Sequence, residues 1–137
     1  LDFTLFGHTD TITGLSLSKQ SGTMLASNSM DNSLRIWDVD HMWAHRQQAE
    51  SECSLGHSHN FEKNLIRCDW SSDDKFIAAG SADRLVYVWN AVTGQLTHRL
   101  AGHKGQVNDV KFAPGSYNGH QLASASSDKT IILGTVS

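Results

Sequence analysis

The stretch GSADRLVYVWN, residues 80–90, decides the fold because it occurs three times in related form. NSMDNSLRIWD (28–38) and ASSDKTIILGT (125–135) align with it without a gap. The aspartates of the three copies, Asp31, Asp83 and Asp128, lie 52 and 45 residues apart. A period of this length is typical of a supersecondary unit of four short strands. The sequence therefore predicts a protein built from repeated sheets.

Strand patterns surround each aspartate. Upstream, apolar residues alternate with polar ones, which predicts strands with one buried face. This alignment places Cys68 in a core column with Leu15 and Val110, and we interpret its thiol as a small buried hydrophobe rather than a redox group. Downstream, LRIW, VYVW and IILG carry the β-branched, aliphatic and aromatic residues that suit strands. With another strand over 95–100, the prediction is a lone strand (2–6), two four-stranded units and a three-stranded unit.

Composition limits the possible functions. The 137 residues are 39% apolar and 18% charged, which is typical of a globular domain. The net charge is −3, and no block of like charge predicts direct nucleic-acid binding. Two cysteines, Cys53 and Cys68, do not make a disulfide framework, so we expect an intracellular protein. No apolar run is long enough to predict a membrane segment. Because the chain lacks an initiator Met, we expect it to be a fragment.

The repeat landmarks resemble a known family. A Gly-His pair, then S-x-D, then Trp-Asp or Trp-Asn resembles the WD40 repeat of β-propellers, and the resemblance covers essentially the whole chain. It implies an all-β fold, residues 1–137 being a partial WD40 β-propeller with about three blades of a larger ring, about seven-bladed. The implied divisions are the last strand of a preceding blade (1–6), two repeats (7–58 and 59–102) and an incomplete terminal repeat (103–137).

Histidine, serine and aspartate recur in every unit. This set could suggest acyl transfer, but an active site is built once, and no G-x-S-x-G motif presents a serine. In WD40 repeats these residues and a Trp form a hydrogen-bonded tetrad, so the resemblance implies a structural role here. Gly134 replaces the third Trp, and the implied members are His8, Ser29, Asp31 and Trp37; His59, Ser81, Asp83 and Trp89; and His103, Ser126 and Asp128.

The sequences of the loops indicate which members of the WD40 family the chain resembles. LFGHTDTITGLSLS (5–18), HNFEKNLIRCDWS (59–71) and SASSDKTIILG (124–134) resemble WD-repeat subunits of the spliceosomal U5 small nuclear ribonucleoprotein. This implies a nuclear, non-catalytic scaffold in pre-mRNA splicing that contacts the large U5 scaffold protein and other spliceosomal subunits, without a cofactor. The alternative, a generic WD40 adaptor in ubiquitin ligation or signalling, would share the tetrads but not the 59–70 loop.

That loop is two residues longer than its counterparts and carries the aromatic ring of Phe61 among polar neighbours. The ring either folds back onto its own blade or anchors a partner, since aromatic residues inside a polar rim are frequent interface hot spots. The partner-binding candidates are Asn60, Phe61, Glu62 and Lys63.

Two further features complete the sequence-based expectations. Segment 41–58 does not match the family well. The histidine spacings HxH (57–59) and HxxxH (41–45) are compatible with zinc, but no further ligands lie at a recognisable distance, so no metal site is predicted. Three blades leave an uncovered sheet face at each end, and such surfaces tend to associate. We therefore expect the isolated chain to be oligomeric or poorly soluble, with no nucleic-acid or membrane partner.

Overall fold

A computed structural model of the chain describes residues 4–40, 53–54, 66–115 and 119–137. Within these ranges eleven strands form three antiparallel sheets. Sheet 1 contains β1 Ile12–Leu17, β2 Met24–Ser29, β3 Leu34–Asp38 and β4 Cys53–Ser54; sheet 2 contains β5 Cys68–Trp70, β6 Phe76–Gly80, β7 Val86–Asn90 and β8 Leu96–Leu100; sheet 3 contains β9 Val107–Phe112, β10 His120–Ser126 and β11 Ile131–Val136. No helix in the described ranges is long and apolar enough to span a membrane.

This arrangement confirms the predicted all-β fold of two four-stranded units followed by a three-stranded one. Neighbouring strands are consecutive in sequence, so each sheet is a simple meander. The strand predicted over 95–100 is β8, Leu96–Leu100. The lone strand predicted over 2–6 is wrong for residues 4–6, which have no strand conformation, and residues 1–3 lie outside the described ranges.

The hairpin turn between the second and third strands of each sheet has the same backbone conformation. The residue after each aligned aspartate is left-handed, with φ of 63° at Asn32, 73° at Arg84 and 70° at Lys129. In each turn the carboxylate accepts the backbone N–H two residues further on. A short polar side chain that bonds its own backbone stabilises such turns, which explains why aspartate stands at this position in all three units.

Two apolar cores join the sheets. The first lies between sheets 1 and 2 and the second lies between sheets 2 and 3, so the middle sheet is buried on both faces. The first contains Ala26, Leu34, Ile36, Cys68, Trp70, Ile77, Ala79, Tyr87 and Trp89, and the second contains Ala78, Val86, Val88, Val107, Val110, Phe112, Leu122 and Val136.

Residues at equivalent positions of the three repeats are buried only where a neighbouring sheet covers them. Cys68 and Val110 are buried, but Leu15 is exposed. The prediction that these three residues share a core column is therefore wrong for Leu15. The described chain places no sheet against that face of sheet 1, whereas the equivalent faces of sheets 2 and 3 are covered.

Polar bonds from sheet 2 reinforce both cores. The buried carboxylate of Asp69 accepts the Lys19 ammonium of sheet 1 at 2.9 Å and the Phe112 N–H of sheet 3 at 2.8 Å. In the β5–β6 turn, Asp73 accepts a hydrogen bond from His120 of sheet 3 at 2.8 Å. The adjacent Asp74 accepts backbone N–H groups from residues 19–21 of sheet 1. Three carboxylates of the middle sheet therefore connect both neighbours.

We predict that Asp69→Ala lowers the free energy of unfolding by roughly 1–3 kcal/mol, because it leaves the buried Phe112 N–H without its acceptor. Urea denaturation followed by tryptophan fluorescence would measure the loss. Lys19→Ala is the comparison, and it should cost less, since the Lys19 side chain is 35% exposed and pairs near solvent. Equal losses in the two variants would contradict this assignment.

Candidate functional site

The most developed polar site lies at one end of sheet 1, where the segment before β1 meets the β2–β3 hairpin. His8 Nδ1 lies 2.9 Å from Asp31 Oδ2, and His8 Nε2 lies 2.6 Å from Ser27 Oγ. The indole Nε1–H of Trp37 donates to the same Ser27 Oγ at 2.8 Å. These four side chains therefore form one continuous chain of hydrogen bonds across the sheet.

The direction of each bond follows from what each group can do. A carboxylate only accepts, so His8 Nδ1 carries the proton that is donated to Asp31. The indole only donates, so Ser27 Oγ accepts from Trp37 and can donate its own proton to His8 Nε2. The assembly is fully satisfied with a neutral imidazole and an ionised carboxylate.

Ser29, the predicted serine of this group, does not belong to it, and that prediction is wrong. Its hydroxyl donates to the Asp10 carbonyl at 3.1 Å and accepts the Asp31 N–H at 3.1 Å. Ser29 therefore stabilises the hairpin turn, and Ser27, two residues earlier on the same face of β2, occupies the place between imidazole and indole.

Sheet 3 repeats this geometry without the indole. His103 Nδ1 lies 3.1 Å from Asp128 Oδ2, and His103 Nε2 lies 2.8 Å from Ser124 Oγ. The prediction of Ser126 is wrong for the same reason as before, because its hydroxyl accepts the Asp128 N–H at 3.1 Å. Gly134 occupies the position of the tryptophan, so the chain of bonds ends at Ser124, whose hydroxyl oxygen also lies 3.4 Å from the Ile132 carbonyl oxygen.

Sheet 2 has a different arrangement. Ala79 stands where sheets 1 and 3 have Ser27 and Ser124, so no hydroxyl is present at this position. The Tyr87 hydroxyl donates to Asp83 instead, and its ring stacks on Trp89 with centroids 5.9 Å apart. Ser81 has the turn role, since its hydroxyl lies 3.5 Å from the Asp83 N–H. His59, the predicted histidine, lies outside the described residues.

The substitution of Ala79 could have been found in the sequence by comparing the residue four before each aligned aspartate. That position reads Ser27, Ala79 and Ser124, whereas the residue two before the aspartate is always serine. The serine two residues before the aspartate is present in all three units and is therefore the one that the sequence predicts as the bonding partner of the histidine, although its hydroxyl stabilises the hairpin turn. Which of two serines on one face reaches the imidazole depends on how the hairpin sits against the preceding segment.

The partner-binding candidates cannot be placed in this geometry. Asn60, Phe61, Glu62 and Lys63 all lie outside the described residues, as do most of segment 41–58 and its histidines. Their roles stay predictions.

Comparisons with known proteins agree with this architecture. A family model described as the second β-propeller of WD repeat-containing protein 75 matches residues 3–133. The chain is a WD-repeat β-propeller protein. The chain is 46% identical over 99% of its length to the human protein named U5 small nuclear ribonucleoprotein 40 kDa protein, covering 36% of that relative. The Dictyostelium discoideum protein of that name is 52% identical over 59% of the chain, covering 22% of the relative.

A third relative also carries a splicing name. The protein named pre-mRNA-splicing factor cwf17 of Schizosaccharomyces pombe is 45% identical over 64% of the chain, covering 24% of the relative. The chain thus spans about a third of the length of the human relative, and less of the two others is matched. These matches confirm the resemblance to the WD40 family and to its splicing members.

Electrostatics stabilise the ionised form of the WD-repeat aspartates. Burial alone would raise the pKa of Asp31, but hydrogen bonds from Ser33, the Thr9 N–H and His8 outweigh it and lower the pKa to about 2. Bonds from Thr130, the Lys104 N–H and His103 likewise hold the pKa of Asp128 well below its usual range.

The pKa of Cys68 shifts in the opposite direction. Burial, with a further contribution from the charges of Asp69 and Asp109, raises the pKa of this thiol to about 12, which leaves it protonated and inert at neutral pH.

The serine side chains of this geometry hold neighbouring segments together. Ser27, Ser29 and Ser124 are buried, and their hydroxyls bond groups of the scaffold. The arrangement also occurs in two sheets of the same chain, as expected for an element that supports each blade. Its chemistry is that of a hydrogen-bonded clamp between a blade and the segment that enters it.

We predict that Ser27→Ala lowers the free energy of unfolding by roughly 1–3 kcal/mol, because it removes the partner of both the Trp37 indole and His8 Nε2. Chemical denaturation would measure the change. Ser127→Ala is the matched control, since Ser127 is exposed and its hydroxyl makes one long bond of 3.4 Å, and it should be near neutral. A neutral Ser27→Ala variant would show that the clamp contributes little.

We predict that acid weakens the fold in a defined range. Asp31 and Asp73 both have a pKa of about 2 in the folded protein against an ordinary 3.8, so their contribution is complete above 3.8 and is lost as the pH falls through about 2. Denaturation midpoints measured from pH 7 downward should stay constant to about pH 3.8 and then fall as the pH approaches about 2. The Asp31→Asn/Asp73→Asn variant should have a lower denaturation midpoint at pH 7, and its midpoint should decrease less as the pH falls. An equal decrease in the variant and the parent chain would contradict the assignment.

Proposed function

We propose that this WD-repeat protein is a non-catalytic protein-interaction scaffold of the U5 small nuclear ribonucleoprotein that acts in pre-mRNA splicing in the nucleus. The observation that carries the proposal is the 46% identity over 99% of the chain to a relative named as a U5 subunit. A likeness of this extent includes loops as well as repeat landmarks. The splicing name of the fission yeast relative supports the same assignment.

The chemistry of the described residues supports a scaffold rather than an enzyme. The recurring His–Ser–Asp arrangement is tied into the blades by backbone N–H bonds to its aspartates and, in sheet 1, by an indole bond to its serine. Its serines are buried, so a substrate carbonyl could not approach them without breaking the sheet packing. Rigid sheets joined by short hairpins instead offer stable surfaces for docking other proteins.

The partners we propose are spliceosomal proteins, including the large U5 scaffold protein. The candidate contact is the loop Asn60, Phe61, Glu62 and Lys63, where an aromatic ring is flanked by polar residues. A net charge of −3 favours protein over nucleic acid as the direct partner.

The proposal predicts that the immobilised chain recovers U5 proteins from a nuclear extract. Bound proteins would be identified by mass spectrometry against beads carrying an unrelated β-sheet protein of similar size and charge. Enrichment of U5 subunits, including the large scaffold protein, is the expected result. Recovery of ubiquitin-ligase or signalling components without U5 proteins would instead favour the generic adaptor function.

The same experiment with Phe61→Ala tests the loop. If Phe61 is an anchor, recovery should fall several-fold while the denaturation midpoint stays within error of the parent chain. Val92→Ala is the matched control, because Val92 is an exposed apolar residue in the β7–β8 turn, and its recovery should not change. A Phe61→Ala variant that loses stability while its folded fraction still binds normally would make the ring a structural residue of its own blade.

A further inference from the structure

Sheet 3 lacks the tryptophan of its repeat, and a cavity lies beside that position at the junction of sheets 2 and 3. Gly134, Ser124 and His103 line it from the side of sheet 3, and Leu100 of β8 lines it from sheet 2. Its volume is about 340 Å³, within the range of protein sites that bind small molecules. Beyond its chain neighbours, only one atom of the described residues would lie within 4 Å of a Cβ atom at Gly134, the Leu100 Cδ1 at 3.9 Å. Position 134 therefore faces this cavity.

Sheet 1 shows what fills the equivalent space. Trp37 of β3 and Gly134 of β11 have equivalent positions in their hairpins, each paired with a leucine of the neighbouring strand. The Trp37 side chain is buried, and its indole N–H donates to Ser27 Oγ at 2.8 Å. The same ring meets the His8 ring edge-on, with centroids 6.1 Å apart. In sheet 3 the serine and the histidine are kept, and the tryptophan is not.

The Ser124 hydroxyl oxygen has no donor among the described residues. It lies 2.8 Å from His103 Nε2. Because His103 Nδ1 donates to Asp128, Nε2 of the neutral ring accepts the hydroxyl proton of Ser124. The Ile132 carbonyl, 3.4 Å from Ser124 Oγ, is itself an acceptor. A buried acceptor without a donor costs free energy, so a ligand that brings an N–H group into the cavity gains a hydrogen bond there.

Sheets 1 and 2 do not present this combination. Sheet 1 has the serine together with Trp37, and sheet 2 has Trp89 but Ala79 in place of the serine. Among the three described sheets, sheet 3 is thus the one in which a buried hydroxyl faces the histidine without an indole beside it.

We propose that the cavity at Gly134 binds one indole ring, whose N–H donates to Ser124 Oγ. The ring takes the place that the tryptophan ring has in sheet 1, next to His103 and the aliphatic side chains of Leu100 and Ile132. Cavities with apolar walls bind aromatic molecules of matching size. Because Ser124 is 4% exposed, the ligand enters by local opening of the junction between sheets 2 and 3. This binding does not depend on the proposed scaffold role.

Titration of the parent chain with indole tests the proposal. The methyl groups of Leu100 and Ile132 lie in the cavity wall, so their NMR signals should shift as indole binds and should show nuclear Overhauser effects to the ring. Indene is the matched probe, since it has the same ring size without the N–H group. Absence of indole binding, or binding that leaves both methyl signals unchanged, would overturn the proposal.

Ser124→Ala tests the hydrogen bond. Sheet 2 has Ala79 at this position and keeps the same hairpin register, so alanine is compatible with the repeat. The ratio of the indole affinity to the indene affinity should fall about fivefold in the variant, because indole alone loses a hydrogen bond. An equal ratio in the variant and the parent chain would show that the N–H does not bond Ser124.

Gly134→Trp tests the position of the ring. Gly134 has no left-handed backbone conformation, so a side chain is accepted there, and the new indole should occupy the cavity. Binding of both probes should be lost, and the denaturation midpoint should rise. Val92→Trp is the matched control, because it adds a tryptophan in the exposed β7–β8 turn and should leave binding unchanged. A folded Gly134→Trp variant that still binds indole would place the ring elsewhere and contradict the proposal.

The ring belongs either to a free indole compound or to a tryptophan side chain of a partner, since both present the same flat apolar surface with one donor. N-acetyltryptophanamide, which carries the ring on a peptide backbone, distinguishes the two sources. Competition with indole would assign a tryptophan side chain as the ligand. Binding of indole alone would assign a free compound, and both results require the cavity.

Discussion

Each sheet of this protein is apolar on both faces, and the need to cover both faces governs the rest of the structure. A sheet whose strands alternate apolar and polar residues can leave one face in water, but here successive columns supply apolar residues to both sides. Sheet 2 satisfies this need completely, with Cys68 and Trp70 packed towards sheet 1 and Val86 and Val88 packed towards sheet 3. Both faces of such a sheet are covered only when it has a neighbour on each side.

Polar bonds at the ends of the strands hold each sheet together internally. In sheet 1 the bonds run from Trp37 through Ser27 and His8 to Asp31, and they hold the entering segment against the hairpin. Sheet 2 lacks the central hydroxyl, and Tyr87 bonds the equivalent aspartate while its ring fills space beside the indole. The aspartate in the hairpin is thus the constant element, and the groups that bond it vary from sheet to sheet.

Sequence reasoning predicted whatever depends on the repeat and missed what depends on position within the stack. The strands, their order and the aspartates of the hairpins follow from a column-by-column alignment, which needs no knowledge of neighbours. The repeat predicts Ser29 rather than Ser27, because the alignment shows a serine in all three units but cannot show which hydroxyl reaches an imidazole from another segment. The repeat also predicts a buried Leu15, because the aligned residues of the other units are buried, although burial requires a neighbouring sheet.

The adjacent residues Asp73 and Asp74 couple the unfolding of the three sheets. One carboxylate bonds sheet 3 and the next bonds sheet 1, while Asp69 bonds both. Repeat proteins often unfold as loosely coupled units, because each repeat contacts only its nearest neighbours through separate interfaces. Here the middle sheet cannot open without releasing the contacts of both outer sheets together. The three sheets should therefore exchange their amide protons and unfold as a single unit, with the outer hairpins fraying first.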